Sequence, residues 1–214
     1  MSIATLILGE SGTGKSSSMR NFKPDEVLLI QSIRKPLPFR SPGWKSVTPE
    51  GGNIIVTDNA DKIMDRCRRT RRKIIVIDDF QYVLANEFMR RTDERGFDKF
   101  TDIGKHAWQV FTGISDLAAD VRVYVMSHTQ DDDHGKTKIK TIGRMLDEKI
   151  TPEGMFSIVL RTTVIDREYL FSTQNNGSDT VKSPLGMFAE ERIPNDLSAV
   201  DLAICDYYGI SAEA

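Results

Sequence analysis

The sequence predicts an α/β fold: a mainly parallel sheet flanked by helices, with a late antiparallel β-hairpin. Three observations predict it. Four short, mainly apolar runs at residues 3–8, 27–31, 74–77 and 121–126 have the length and content of strands buried on both faces. Stretches with helical spacing separate them, as parallel strands require. Two β-rich runs, 156–165 and 168–173, are joined only by Asp166 and Arg167.

The elements follow in order. Residues 3–8 (IATLIL) run straight into a glycine-rich turn, with no basic leader or cleavage site, so they read as a core strand. A helix is expected from Gly14 to about Asn21, then a second buried strand at 27–31 (VLLIQ). Pro36, Pro38, Pro42, Pro49 and a glycine pair make 35–52 an irregular excursion. Residues 54–57 are a short strand candidate. Residues 61–72 read as a helix ending in cations, which the helix dipole favours there. The third strand, 74–77, leads to a helix at 80–92 and a polar loop at 95–102. Trp108, Phe111, Ile114 and Ala118 give 105–119 a helical period. After the fourth strand, 130–141 is charged and reads as an open loop. The hairpin, a turn at 175–178 and a helix at 197–208 close one domain, 1–214.

Composition narrows the class. The chain has 214 residues, enough for one good core, and is 39% apolar and 28% charged, as globular proteins are. A net charge of −2 excludes a global basic field, so any nucleic-acid site must be a local patch. No run approaches the ~18 apolar residues of a membrane span. Cys67 and Cys205 lie on apolar helical faces, which fits a reducing compartment better than a disulfide scaffold. The expectation is a soluble cytoplasmic protein without a membrane partner. Three scattered histidines form no metal-ligand set with the two cysteines.

The chemistry starts at Gly9-Glu10-Ser11-Gly12-Thr13-Gly14-Lys15-Ser16, followed by Ser17. It matches G-x-x-x-x-G-K-[ST] between a buried strand and a helix. Glycines let successive N–H groups turn toward one anion, and the helix start adds partial positive charge. Lys15 would reach the β- and γ-phosphates of ATP, and Ser16 would ligate Mg²⁺. Asp78 ends the third strand, expected beside the first, where a carboxylate can hold Mg²⁺ or its water shell. Asp79 either serves that site or merely caps the next helix.

Several stretches carry a family resemblance. Gly9-Glu10-x-x-Thr13-Gly14-Lys15-Ser16 resembles the G-E-x-x-T-G-K-[ST] loop of the RadA branch of RecA-like ATPases. Ile77-Asp78-Asp79-Phe80-Gln81 is similar to the I-D-Y-L-Q segment of replicative helicases with the same core. Met126-Ser127-His128 resembles the strand end where RecA-like proteins place a γ-phosphate sensor. With TIGRML (141–146) and VKSPLGMF (181–188), the pattern looks like small phage-encoded, core-only RecA-like ATPases associated with single-strand annealing and recombination. The chain departs from that family after the second strand. Where such enzymes carry a catalytic glutamate, this one reads Ile30-Gln31-Ser32-Ile33-Arg34. Asp79 is then the best candidate to orient water, ahead of Glu87 and Glu10.

The resemblance implies further roles. His128, or secondarily Gln130, would sense the γ-phosphate. Residues 130–141 would turn toward single-stranded DNA, with Lys136, Lys138 and Lys140 on one side of an extended segment and Arg144 beyond. The acids Asp131 to Asp133 argue instead for a solvated loop. The basic run from Arg66 to Lys73 is either a nucleic-acid patch or a solvated helix end. Lys182 would reach a neighbour's ATP site in a homo-oligomer, ring or filament. A single-strand-binding protein is a further expected partner. Two other readings stand beside the recombination ATPase: a small-molecule or nucleotide kinase, with Arg90, Arg91 and Arg95 as lid cations, and a motor or loader of replication or packaging.

Overall fold

Each long apolar run becomes a strand buried on both faces, and alternate residues feed two different cores. The computed structural model describes residues 1–211. The strands are β1 (Ile3–Leu8), β2 (Val27–Gln31), β3 (Ile54–Val56), β4 (Ile74–Asp78), β5 (Arg122–Ser127), β6 (Thr129–Asp131), β7 (Thr137–Ile139), β8 (Ile158–Ile165), β9 (Glu168–Ser172) and β10 (Arg192–Pro194). The α-helices are α1 (Ala60–Arg69), α2 (Gln81–Arg90), α3 (Asp98–Ser115) and α4 (Leu197–Tyr208). Leu6, Ile75, Ile77, Val123 and Val125 point to one core with α1, α2 and α3. Ile7, Ile74, Val76, Tyr124 and Met126 point to the other, under α4 and Met19. Burying one such aliphatic side chain is worth about 1.5–3 kcal/mol, so strands without a polar face settle in the middle of a covered sheet.

Eight strands form the main sheet in the order β10-β9-β8-β1-β5-β4-β2-β3. Strands β8 to β3 of that order are mutually parallel. The β8–β9 hairpin and β10 continue it antiparallel, turning at Asp166 and Arg167, both left-handed with φ of 51° and 68°. The α/β class and the late hairpin are as expected; β10 had no sequence signal.

Four expectations are corrected. The strand ending at Asp78 is not beside the first strand: β5 pairs with both β1 and β4 and lies between them. The expected 14–21 helix is a 3₁₀ turn, Ser16–Asn21. Three successive serines are poor helix formers, and the Ser18 hydroxyl donates back to the Lys15 carbonyl at 2.6 Å. The expected 95–102 loop is half helix, because α3 starts at Asp98 and buries Ile103, Ala107, Val110, Phe111 and Ile114. Trp108, one of the residues that set the helical period, lies on the outer face of α3 and is 44% exposed.

The 130–141 segment is no open loop. Strands β6 and β7 pair antiparallel, and the acids build the turn. Asp132 accepts the backbone N–H groups of His134 and Lys136, and Asp131 accepts the Thr137 hydroxyl. Thr137 and Ile139 are buried, and the Thr137 N–H donates to Ser178, tying the hairpin to the rest of the fold. Cys67 and Cys205 are buried free thiols. Among the described residues no helix is long and apolar enough to cross a membrane.

Candidate functional site

Parallel strands bring their C-terminal ends to one edge of the sheet, and loops leaving that edge can converge. Here the loop after β1, the Asp78-Asp79 pair at the end of β4, His128 after β5 and Lys35 after β2 converge on one cleft of about 200 Å³. Of the predicted residues, Ser11, Gly12, Gly14, Lys15, Ser16, Ser17, Asp79 and His128 line it. Gly9 and Thr13 back onto β8, Glu10 is exposed, and Asp78 lies beneath Ser16.

Close packing fixes the 9–16 loop. Gly12 and Gly14 have φ of 82° and 99°, the left-handed region that side chains disfavour. A Cβ on Gly9 would stand 1.9 Å from the Thr162 hydroxyl of β8. That hydroxyl donates to the Leu8 carbonyl and lies 2.6 Å from the Thr13 hydroxyl, so β8 braces the loop from behind.

The polar groups interlock. The Lys15 ammonium donates to the Gly9 and Glu10 carbonyls, each at 2.8 Å. Burial lowers its pKa to about 8, against the pull of Asp79 and Asp78. The Ser16 hydroxyl lies 3.0 and 2.9 Å from the two Asp78 carboxylate oxygens. Asp78 is fully buried; burial, then the charge of Asp79, raise its pKa above the usual carboxylate range. Burial also pushes Asp79 upward, but His128 and Lys35 outweigh it and hold that carboxyl low.

Asp79 is no helix cap. Its backbone is left-handed at φ 58°, and no side chain caps the start of α2. Its carboxylate is ion-paired with Lys35 and lies 3.6 Å from His128 Nε2. A non-glycine residue in that conformation is held there at about 1–3 kcal/mol, the kind of strain that gathers at functional sites.

Lys35 escaped the sequence reading. It sits in the proline-rich excursion, with no spacing to mark it. Its ammonium bridges Asp79 and, at 3.8 Å, Asp78. Gln31 donates to the Lys35 carbonyl at 3.1 Å and fixes the turn that delivers it.

Other candidates lie elsewhere. Glu87 pairs with His106 at 2.9 Å and Arg91 at 3.1 Å, and so does not serve the cleft. Gln130 donates to Asp147 at 2.8 Å, and Lys138 pairs with the same carboxylate at 2.8 Å. Lys136 and Lys140 are exposed, as is Arg144, which pairs with Glu148 at 3.4 Å. Lys182 lies beside β8 outside the cleft, exchanging backbone hydrogen bonds with Val159. The Arg66–Lys73 run leads into the start of β4, the end opposite Asp78, and Arg72 is spent on the Asp25 and Gly52 carbonyls.

The donor set fits a magnesium–triphosphate group. Mg²⁺ prefers oxygen ligands, takes one or two from protein and the rest from phosphate and water. The Ser16 hydroxyl and Asp78 carboxylate are such a pair, with two ammonium groups facing the same cleft. Among the described residues no cluster of three or more His, Cys, Asp or Glu forms an all-protein metal site. No family model matches the chain, and the search of curated proteins finds no match either.

Proposed function

We propose that this chain is an ATP-binding, Mg²⁺-dependent ATPase with a RecA-like core that acts on single-stranded DNA in recombination or strand annealing. One observation carries the nucleotide reading: the Ser16 hydroxyl sits on the Asp78 carboxylate, joining two motifs 62 residues apart in one site. In this reading the 9–16 loop holds the phosphates with backbone N–H groups. Lys15 would leave its two carbonyls for the β- and γ-phosphates, and Ser16 with Asp78 would hold the metal. Bound Mg²⁺ would neutralise charge on the phosphate oxygens. Asp79, held ionised by His128 and, before nucleotide binds, by Lys35, orients the attacking water in place of the glutamate missing after β2. His128 hydrogen-bonds the terminal phosphate.

The DNA side of the proposal rests on the family resemblance and on the exposed cations Lys136, Lys140 and Arg144. Assembly into a ring or filament, with Lys182 reaching a neighbour's site, belongs to the same proposal. The test is ATP turnover by the wild type and Lys15→Ala, each titrated with single-stranded and duplex DNA. Stimulation by single strands, lost in Lys15→Ala, is the expected result. Turnover indifferent to both DNAs would move the reading to a kinase with a small-molecule acceptor. No turnover or nucleotide binding by the wild type would end it.

A further inference from the structure

Two adjacent buried carboxylates, Asp78 at 0% and Asp79 at 3% exposure, repel each other and need a cation. Lys15 does not supply it directly, since its ammonium is turned onto the Gly9 and Glu10 carbonyls. Among the described residues, Lys35 is the one ammonium within ion-pair distance of both carboxylates. It comes from the loop after β2, where the expected catalytic carboxylate is missing, and is held by Gln31, itself buried. It also lines the cleft with Lys15, Ser16 and His128.

We propose that Lys35 is a specificity-determining residue that reports whether the cleft holds a triphosphate. This rests on the nucleotide reading above. Without nucleotide, Lys35 compensates the Asp78–Asp79 pair and competes with any divalent cation for it. With metal held by Ser16 and Asp78, the pair no longer needs that ammonium. Lys35 can then turn within the same cleft to the terminal phosphate, an anion a diphosphate lacks there. Lysine suits this role because its flexible four-carbon stem lets one point charge serve two nearby anions in turn.

The test measures binding, not turnover. ATP and ADP affinities in Mg²⁺ are determined by calorimetry for the full-length wild type, Lys35→Gln and Lys35→Arg. Mn²⁺ binding without nucleotide is read from the loss of the free-ion electron paramagnetic resonance signal. The expected result is that Lys35→Gln weakens ATP by on the order of tenfold while leaving ADP within about twofold, the size of one charge-assisted hydrogen bond. Lys35→Gln should also tighten Mn²⁺ in the nucleotide-free protein, and Lys35→Arg should restore the ATP preference. An unchanged ATP-to-ADP ratio together with unchanged Mn²⁺ binding in Lys35→Gln overturns the proposal. If the wild type binds neither nucleotide, the nucleotide reading itself fails and this inference falls with it. Circular dichroism of each variant separates loss of binding from loss of fold.

Discussion

The Lys140 backbone N–H donates to the His128 carbonyl at 2.8 Å, so the β6–β7 hairpin is closed at its base by the residue whose ring reaches toward Asp79. One backbone hydrogen bond thus joins the strand end to the hairpin. Its exposed cations are Lys136 and Lys140, whereas Lys138 is engaged by Asp147. If this hairpin meets single-stranded DNA, Lys136→Ala/Lys140→Ala weakens binding. It also flattens the dependence of log affinity on log salt by about 0.7 for each phosphate no longer neutralised. Lys138→Ala has a smaller effect. Fluorescence anisotropy across a salt series checks this, and an unchanged slope in the double variant removes the hairpin from the DNA surface.

Gly9 has no room for a side chain. Gly9→Ala would press its Cβ into the Thr162 hydroxyl, 1.9 Å away, and should destabilise the fold by about 1–3 kcal/mol. Thr162→Ala removes that hydroxyl and should recover part of the loss in the double variant. Urea unfolding of the four proteins measures the coupling; additivity would show that the strain lies elsewhere.

Asp78 is expected to weaken the fold at neutral pH. Its pKa in the folded protein is raised by burial and by Asp79, so its contribution is favourable in acid, where it is protonated. That contribution is lost as pH rises from the ordinary carboxylate value through the raised one. In buffer with chelator, Asp78→Asn should be more stable than the wild type near neutrality, with the gap closing in acid. Thermal unfolding across pH reads this. A variant less stable at every pH would mean that the Ser16 and Lys35 interactions outweigh desolvation. The same variant should lose metal-dependent turnover.

Lys15 titrates near physiological pH. With its pKa lowered to about 8, the free protein loses that charge as pH rises past this value. A bound polyphosphate favours the charged form, so nucleotide binding at about pH 9 should take up close to one proton, and affinity should fall as pH rises from there. Calorimetry in buffers of different ionisation enthalpy counts the proton. Lys15→Arg, which stays charged, should show no uptake.

Much of the site was legible in order along the chain. The 9–16 loop announces itself by spacing, because a cradle of backbone N–H groups needs glycines at fixed steps. Asp78, Asp79 and His128 are marked by their place at the ends of apolar strands. Lys35 carries no such mark: it is one lysine in a proline-rich stretch, and only the pairing of β2 with β4 brings it to the carboxylates. Thr162 is equally silent, since its role is a contact across 149 residues with Thr13. The 130–141 segment misled because its acids look solvated in sequence, while Asp131 and Asp132 are spent on the hairpin turn.

The sequence by itself determined the long core strands, the late hairpin, most of the helices and the phosphate-type loop, since each depends on residues close together in the chain. Strands apolar on both faces carry no information about which neighbour they take. The insertion of β5 between β1 and β4 was therefore decided by tertiary packing. That placement sets His128 between the loop and Asp79. The same long-range pairing decided that a lysine, and not a carboxylate, completes the cleft from the β2 side.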